Sequence, residues 1–503
     1  MIASRTRVVL TLAGAPAPEP ASRALTSVTV LQRSSLPDLC ELTFAAPPGP
    51  LPQAMDWPPG TPLELRVGDE AEPLFAGDVV AVEFALAAGA ERALRLRAHD
   101  RLHLLRLRDV VRSFAQVDPV EVARELLGAA GVAVHAHAGG LPREMVVQYR
   151  QTDLDLLRSL LEAEGLYLAV RPDGAHVYGP GGFGEPVPLE AGASLLDASV
   201  EVSGLTAVDA VEASGWQALE GRPLGARAGD ADPGRDVPAT VDAADLGGPA
   251  SRTLSGGVAQ SEAHLERRAR AHLGRLRGRE VTLTGLALGD SRLRPGTPVD
   301  VRGLPAELSG RYVLHEVTHV LDDAKGYVCQ LSSAPPPPPP QAVGWQATLG
   351  RVIDVDDPGR LGRVRVTLPA LGTLDSAWLQ VMAAGAGAAG GASILPGVGD
   401  TVLVLLALED PSQAVVLGGL YGPGGVPDPG VAGGQVRRYT LTSPGGQRLV
   451  LDDEHGALVI DDGNGNRLEL SGAGARLTTG AALVLEARGG VRIVGETVDF
   501  ERA

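Results

Sequence analysis

Arg448-Leu449-Val450-Leu451-Asp452-Asp453-Glu454-His455-Gly456-Ala457-Leu458-Val459-Ile460-Asp461-Asp462-Gly463 decides how the end of this chain folds. Apolar residues stand two apart, at Leu449/Leu451 and Leu458/Ile460, and the spacing returns at Leu468/Leu470, Leu483/Leu485, Val491/Ile493 and Val498/Phe500. Such spacing gives a strand one apolar face. Between the pairs lie turn residues: Ser443-Pro444-Gly445-Gly446, Asp461-Asp462-Gly463-Asn464-Gly465 and Arg488-Gly489-Gly490. One chain of such ribs has no helix and few aromatics to cover that face. Three chains wound about a common axis cover it, pair their edges between chains and turn the acidic residues outward. The spacing therefore predicts an intertwined trimeric β-helix, or β-prism, over residues 435–503, with a core of Leu449, Leu451, Leu458, Ile460, Leu468, Leu470, Leu483, Leu485, Val491 and Ile493. The competing architecture is a one-chain solenoid, for which this stretch supplies only about three coils of about twenty residues.

Working back from the tail, residues 424–434 read as a Gly/Pro-rich linker and residues 343–423 as a five-stranded OB-fold barrel. Its strands surround Ile353/Val355, Arg363–Leu368, Trp378–Val381, Thr401–Leu406 and Ala414–Leu417. Six prolines, Pro335–Pro340, predict a stiff polyproline linker over 334–342.

Residues 1–333 form the hub region. Pro59-Gly60-Thr61-Pro62-Leu63-Glu64-Leu65-Arg66 reappears as Pro295-Gly296-Thr297-Pro298-Val299-Asp300-Val301-Arg302. Each copy continues into a glycine and an alternating strand, Gly77–Phe84 and Gly310–Val317, then a last strand, Leu94–Ala98 and Tyr327–Leu331. The repeat predicts two similar β-barrel domains, about 1–105 and 195–333, flanking an α/β middle. Helices are expected after the Asp118-Pro119 cap, over Leu154–Glu164 with Gly165 as stop, and over Ser261–Leu276. The fold class is mainly β with an α+β hub. The short apolar run Val8–Ala13, broken by Thr11, reads as a first strand rather than a secretory signal.

Composition narrows the function. Of 503 residues, 44% are hydrophobic but only 3% aromatic, and Gly (65) and Pro (39) point to short strands and turns. A net charge of −17 argues against nucleic acid, and so do the few barrel aromatics, Trp345, Trp378 and Tyr421. Two cysteines without CxxC spacing, Cys40 and Cys329, build neither a disulfide framework nor a zinc knuckle.

Catalytic patterns are few. His315-Glu316-Val317-Thr318-His319 fits HExxH, which as a secreted zinc metalloprotease needs both histidines on one helical face. The flanking residues alternate as a strand, which holds the two about 13 Å apart along one face, too far for one zinc. His135-Ala136-His137 shows no third ligand nearby in sequence, and Asp452-Asp453 and Asp461-Asp462 read as turn residues. No catalytic residue, metal or cofactor is expected; the alternative is a secreted hydrolase, either that protease or a cell-wall hydrolase.

Taken together, Arg97-Ala98-His99-Asp100-Arg101-Leu102, Arg112-Ser113-Phe114, Gln148-Tyr149-Arg150-Gln151-Thr152-Asp153-Leu154-Asp155-Leu156-Leu157 and Glu164-Gly165-Leu166-Tyr167 resemble the hub signature of VgrG-type spike proteins of type VI secretion. They are equally similar to hub–spike proteins of contractile phage tails and extracellular injection particles. Asp357-Pro358, Gly362-Arg363-Val364-Arg365-Val366, Trp378, Pro396-Gly397-Val398-Gly399-Asp400 and Leu417-Gly418-Gly419-Leu420-Tyr421 resemble phage baseplate OB domains. The resemblance implies a homotrimer whose six similar barrels meet a hexameric inner tube and baseplate proteins. It implies a needle whose end, Val498, Asp499, Phe500, Glu501, Arg502 and Ala503, seats a PAAR-like tip protein, with transient contact to a target membrane. It implies assembly in the bacterial cytoplasm as part of a tail-like particle, with release left open. Many phage relatives insert a lysozyme domain where this chain has only Tyr421–Gly434, and many type VI relatives add effector domains after the needle. The expected length is closer to that of the extracellular particles.

Overall fold

The structure, a computed structural model, describes residues 7–46, 50–53, 55–86, 92–217, 222–247, 251–258, 261–322, 324, 326–338, 345–371, 373–387, 389–407, 410–422 and 425–501. The end of the expected proline linker (339–342), Val343, and Arg502 and Ala503 of the expected tip interface lie outside them. The chain divides into two compact units, Met1–Gly418 and Gly419–Ala503.

The first unit is built on an eleven-stranded sheet. Its order is Leu195–Val202, Val281–Leu288, Gly326–Ser332, Glu316–Asp322, Leu25–Arg33, Leu39–Ala46, Arg92–His99, Phe75–Leu86, Pro62–Val67, Val8–Leu12 and Ala15–Pro16. Period-two alternation drives these strands: Val28 and Val30, Leu42 and Phe44, and Leu94, Leu96 and Ala98 all turn inward to one core. A second core, around Leu283, Val299, Tyr312, Val317 and Leu331, belongs to the later strands. The two sets join where Glu316–Asp322 pairs antiparallel with Leu25–Arg33, Val320 opposite Thr29.

The sequence repeat is visible as repeated hydrogen bonding. The Gly60 amide donates to the Val79 carbonyl and the Gly296 amide to the Leu314 carbonyl, both at 2.7 Å. Val79 and Leu314 return the bond, to Thr61 at 2.8 Å and Thr297 at 3.1 Å. Both glycines need positive φ, 93° and 84°, so each copy uses the same turn. The copies then diverge: Pro62–Val67 stays in the large sheet, whereas Pro298–Arg302 pairs with Gly310–Val313 and, in parallel, with Val187–Glu190 in a separate four-stranded sheet.

Between them lie the helices. Pro119–Ala129 starts in a capping box of Asp118 and Glu121, and Asp153–Ala163 is capped by Thr152 and stopped at Gly165. Their apolar stripes, including Val122, Leu126, Leu157 and Leu161, close a third core. Glu262–Gly278, capped by Ser261, lays Leu265, Ala269, Leu273 and Leu276 on a three-stranded sheet.

Six strands between Trp345 and Leu420 make the barrel sheet around Val352, Val366, Val402, Val404 and Val416. Hub residue Val147 is buried in this same core, with Met145 and Tyr149 packed against it. The expected linker is not a free spacer at its start: Pro335 is buried, and its carbonyl accepts from the Arg279 guanidinium at 2.9 Å. With Val147 in the barrel core, barrel and hub fall in one compact unit.

In the second unit, Arg438–Thr442, Arg448–Asp452, Ala457–Asp461, Arg467–Ser471 and Gly474–Thr478 form one antiparallel meander. Joined by short Gly/Asp turns, each of these ribs pairs with its own neighbour within the chain. The ribs expected at Leu483/Leu485, Val491/Ile493 and Val498/Phe500 form no strands among the described residues.

Candidate functional site

The hub signature residues converge on buried polar knots. The Asp153 carboxylate, fully buried, accepts from the Arg112 guanidinium at 2.6 Å and the Gln148 amide at 2.7 Å, while Arg112 Nε donates to Gln148 Oε1 at 2.8 Å. Asp100 is also buried and accepts from the backbone amides of Leu102 (2.9 Å) and Asp38 (3.0 Å), tying the turn after Arg92–His99 to the next strand pair. Burial pushes its carboxyl well up, with the neighbouring Asp38 adding to the shift. These signature residues serve the scaffold: Arg112 and Gln148 bind the buried Asp153, and Asp100 holds two backbone amides.

The barrel signature does the same for a loop. Asp357 accepts from the Gly359 and Leu361 amides at 2.9 and 2.8 Å and takes Arg363 in a fork at 2.7 and 3.1 Å. The Arg363 bond, followed by the backbone amides, holds the Asp357 carboxyl well below the usual range.

The tail differs. Strand register lines up Leu441, Leu449, Ile460, Leu468 and Leu477 in one cross-strand row, and Tyr439, Leu451, Leu458, Leu470 and Ala475 in the next. All ten share one face. That face is open: Leu451 and Ile460 are each 49% exposed and Leu477 54%. The opposite face carries Thr440, Glu469 and Arg476 around Val450 and Val459, each only 8% exposed. Asp428 helps to seal it, accepting from Arg438 at 3.0 Å and Thr440 at 3.0 Å. Six of the ten expected core residues, Leu449, Leu451, Leu458, Ile460, Leu468 and Leu470, therefore lie together. Leu483, Leu485, Val491 and Ile493 are exposed outside the strands. Tyr439, Leu441 and Leu477 belong to the same face; their alternation was the signal. At the expected tip, Val498 and Phe500 are exposed, Phe500 at 89%.

The HExxH residues do not form a helix. His319 sits in the strand Glu316–Asp322 with His315 just before it. They enter different networks: His315 Nδ1 lies 3.0 Å from Ser34 Oγ, and His319 Nδ1 lies 2.9 Å from Tyr327 Oη and 3.2 Å from Cys329 Sγ. Burial pushes both imidazoles down to about 3. The Asp452 and Asp462 carboxylates accept from backbone amides of their own turns, Glu454 at 2.9 Å and Asn464 at 2.8 Å. His135 and His137, read as isolated in sequence, stand beside His176 and Asp173.

Comparison with known proteins accords with this geometry. Residues 348–421 match the type VI secretion system/phage-baseplate injector OB domain. The Francisella PdpA–VgrG complex, half-lidded, is similar at a TM-score of 0.55 and 9% identity, over 94% of this chain and 88% of that one. An Escherichia coli component of the type VI secretion system, described as structurally similar to the T4 bacteriophage tail proteins gp27 and gp5, gives 0.52 at 15% identity, over 82% and 99%. The 43 kDa tail protein of prophage MuSo2 from Shewanella oneidensis gives 0.50 at 14%, over 65% and 97%. No curated protein matches the sequence. The fold is shared with VgrG-type and phage tail proteins, and the barrel matches the injector OB domain. Over residues 50–323 the chain matches the Alg8 N-terminal domain, and it belongs to that family.

Proposed function

We propose that three copies of this chain form the spike of a contractile injection machine, a structural rather than catalytic part. The observation that carries the reading is the tail sheet, whose ten-residue apolar face is left open among the described residues of its own unit. Burying one leucine stabilises by about 1.5–3 kcal/mol, and a three-fold prism buries every row three times. The trimer core is then Leu449, Leu451, Leu458, Ile460, Leu468 and Leu470, extended by Leu483, Leu485, Val491 and Ile493 as residues 479–501 order between chains. The two hub repeats, three times over, present six similar faces to a hexameric inner tube, and baseplate proteins hold the hub. Val498, Asp499, Phe500, Glu501, Arg502 and Ala503 seat a PAAR-like tip protein, and contraction drives the shaft through a target membrane. Assembly takes place in the bacterial cytoplasm within a tail-like particle.

Negative-stain electron microscopy of the purified full chain tests this. The expected image is a three-fold head carrying one narrow shaft. Single-copy particles without a shaft would overturn it.

A further inference from the structure

Three of the chain's ten histidines, His135, His137 and His176, gather on one patch of the hub middle. The short edge strand Val134–Ala136 pairs in parallel with Gly174–Tyr178, and the register sets His135 directly beside His176. Residues so paired share one face. Asp173, in the turn before Gly174, adds a carboxylate. His176 Nε2 lies 2.9 Å from Asp173 Oδ1, His135 Nε2 lies 3.7 Å from Asp173 Oδ2, and one ligand atom from each of the three falls within 4.8 Å of the others.

The surroundings suit a ligand set. On the other side of its ring, His176 Nδ1 meets His137 Nε2 at 2.9 Å. With an ion on Nε2, His176 would carry its proton on Nδ1 and donate it to His137 Nε2, the arrangement by which outer partners hold metal-bound histidines. Phe183 stacks on His176 and His137 at 4.8 and 4.7 Å and walls one side. The His176 side chain is 9% exposed, against 45% for His135 and 62% for Asp173, so one ligand is fixed and two face solvent.

We infer that His135, Asp173 and His176 bind a divalent first-row transition ion such as zinc, with His137 positioning His176 and water completing the shell. Two imidazoles and one carboxylate select such an ion over calcium or magnesium, which prefer oxygen alone. Ligand atoms of a tetrahedral zinc stand about 3.4 Å apart, so the exposed His135 and Asp173 close inward on binding. The ion staples the three-residue edge strand to the turn that precedes its neighbour. This differs from the HExxH reading, since His315 and His319 take no part.

Isothermal titration of the untagged, chelator-treated full chain with zinc chloride tests the assignment. The expected result is one ion per chain, loss of that binding in His135→Ala and in Asp173→Ala, and about 10-fold or greater weakening in His137→Ala. Both ligand residues face solvent, so the variants keep the fold, checked by an unchanged melting curve without metal. Binding should survive Asp452→Ala/His455→Ala, which removes the exposed tail cluster of Asp452, Glu454 and His455. Calcium should give no saturable heat. Absence of saturable zinc binding, its retention in the His135→Ala/Asp173→Ala double variant, its loss in the tail variant, or equal binding of calcium would each overturn the inference.

Discussion

The hub-and-barrel unit and the tail unit use the same period-two alternation and finish it differently. In the first unit the inward rows of the large sheet pack into cores made within the chain, and Val147 of the hub even enters the barrel core. In the tail the polar face is closed locally by Asp428 and the apolar face is left open. Alternation thus specifies a strand with two unlike faces; it does not say whether the partner for the apolar one is supplied within the chain. In the proposed trimer, a second and third copy of the tail would supply the same rows to that open face.

The largest expected effect breaks this contrast outright. Leu458→Asp with Leu468→Asp places charges in adjacent rows of the tail face, where three-fold symmetry multiplies each. The trimer is expected to be lost, the mass seen by light scattering falling about three-fold, while the hub keeps its own melting transition. Arg476→Ala, on the opposite face, should change stability by less than about 0.5 kcal/mol and leave the mass unaltered.

A smaller effect works from the other side. Arg112→Ala removes a partner from buried Asp153 and is expected to cost about 3 kcal/mol in urea unfolding of the hub, with trimer mass retained. A hub loss that also dissolved the trimer would show that the two units are energetically one.

The smallest is a pH dependence confined to the hub. The folded values of about 3 for His315 and His319 lie below the ordinary imidazole value of about 6.5. The unfolded chain therefore takes up protons first as pH falls. Stability from these groups is complete above about pH 6.5 and is lost progressively down to about pH 3. Buried Asp38 and Asp100, both shifted upward, act with the opposite sign in this window, so the check is differential: on acidification the hub of His319→Gln should lose less melting temperature than that of the parent.

Local signals were legible. The Pro-Gly-Thr-Pro repeat announced two equivalent turns because positive-φ glycines mark backbone geometry directly. The Asp118 and Thr152 caps placed their helices, and alternation around Val317 excluded a helical HExxH. Contacts between distant segments were not legible. His135 meets His176 only through a parallel pairing some forty residues away in sequence, and periodicity carries no register between separate strands. Val147 reads as an ordinary strand residue until the barrel is seated on it. The tail residues were legible as one face, yet their pairing within the chain was not, since a rib pairs equally well with its own neighbour or with another copy.

The central claim is that one chain cannot hide its tail sheet. Native mass spectrometry of the full-length protein at micromolar concentration addresses it directly. The account expects a single species at about three times 51.8 kDa, resistant to dilution. A soluble species at one chain mass, with amides of 438–478 still protected from hydrogen exchange, would contradict it.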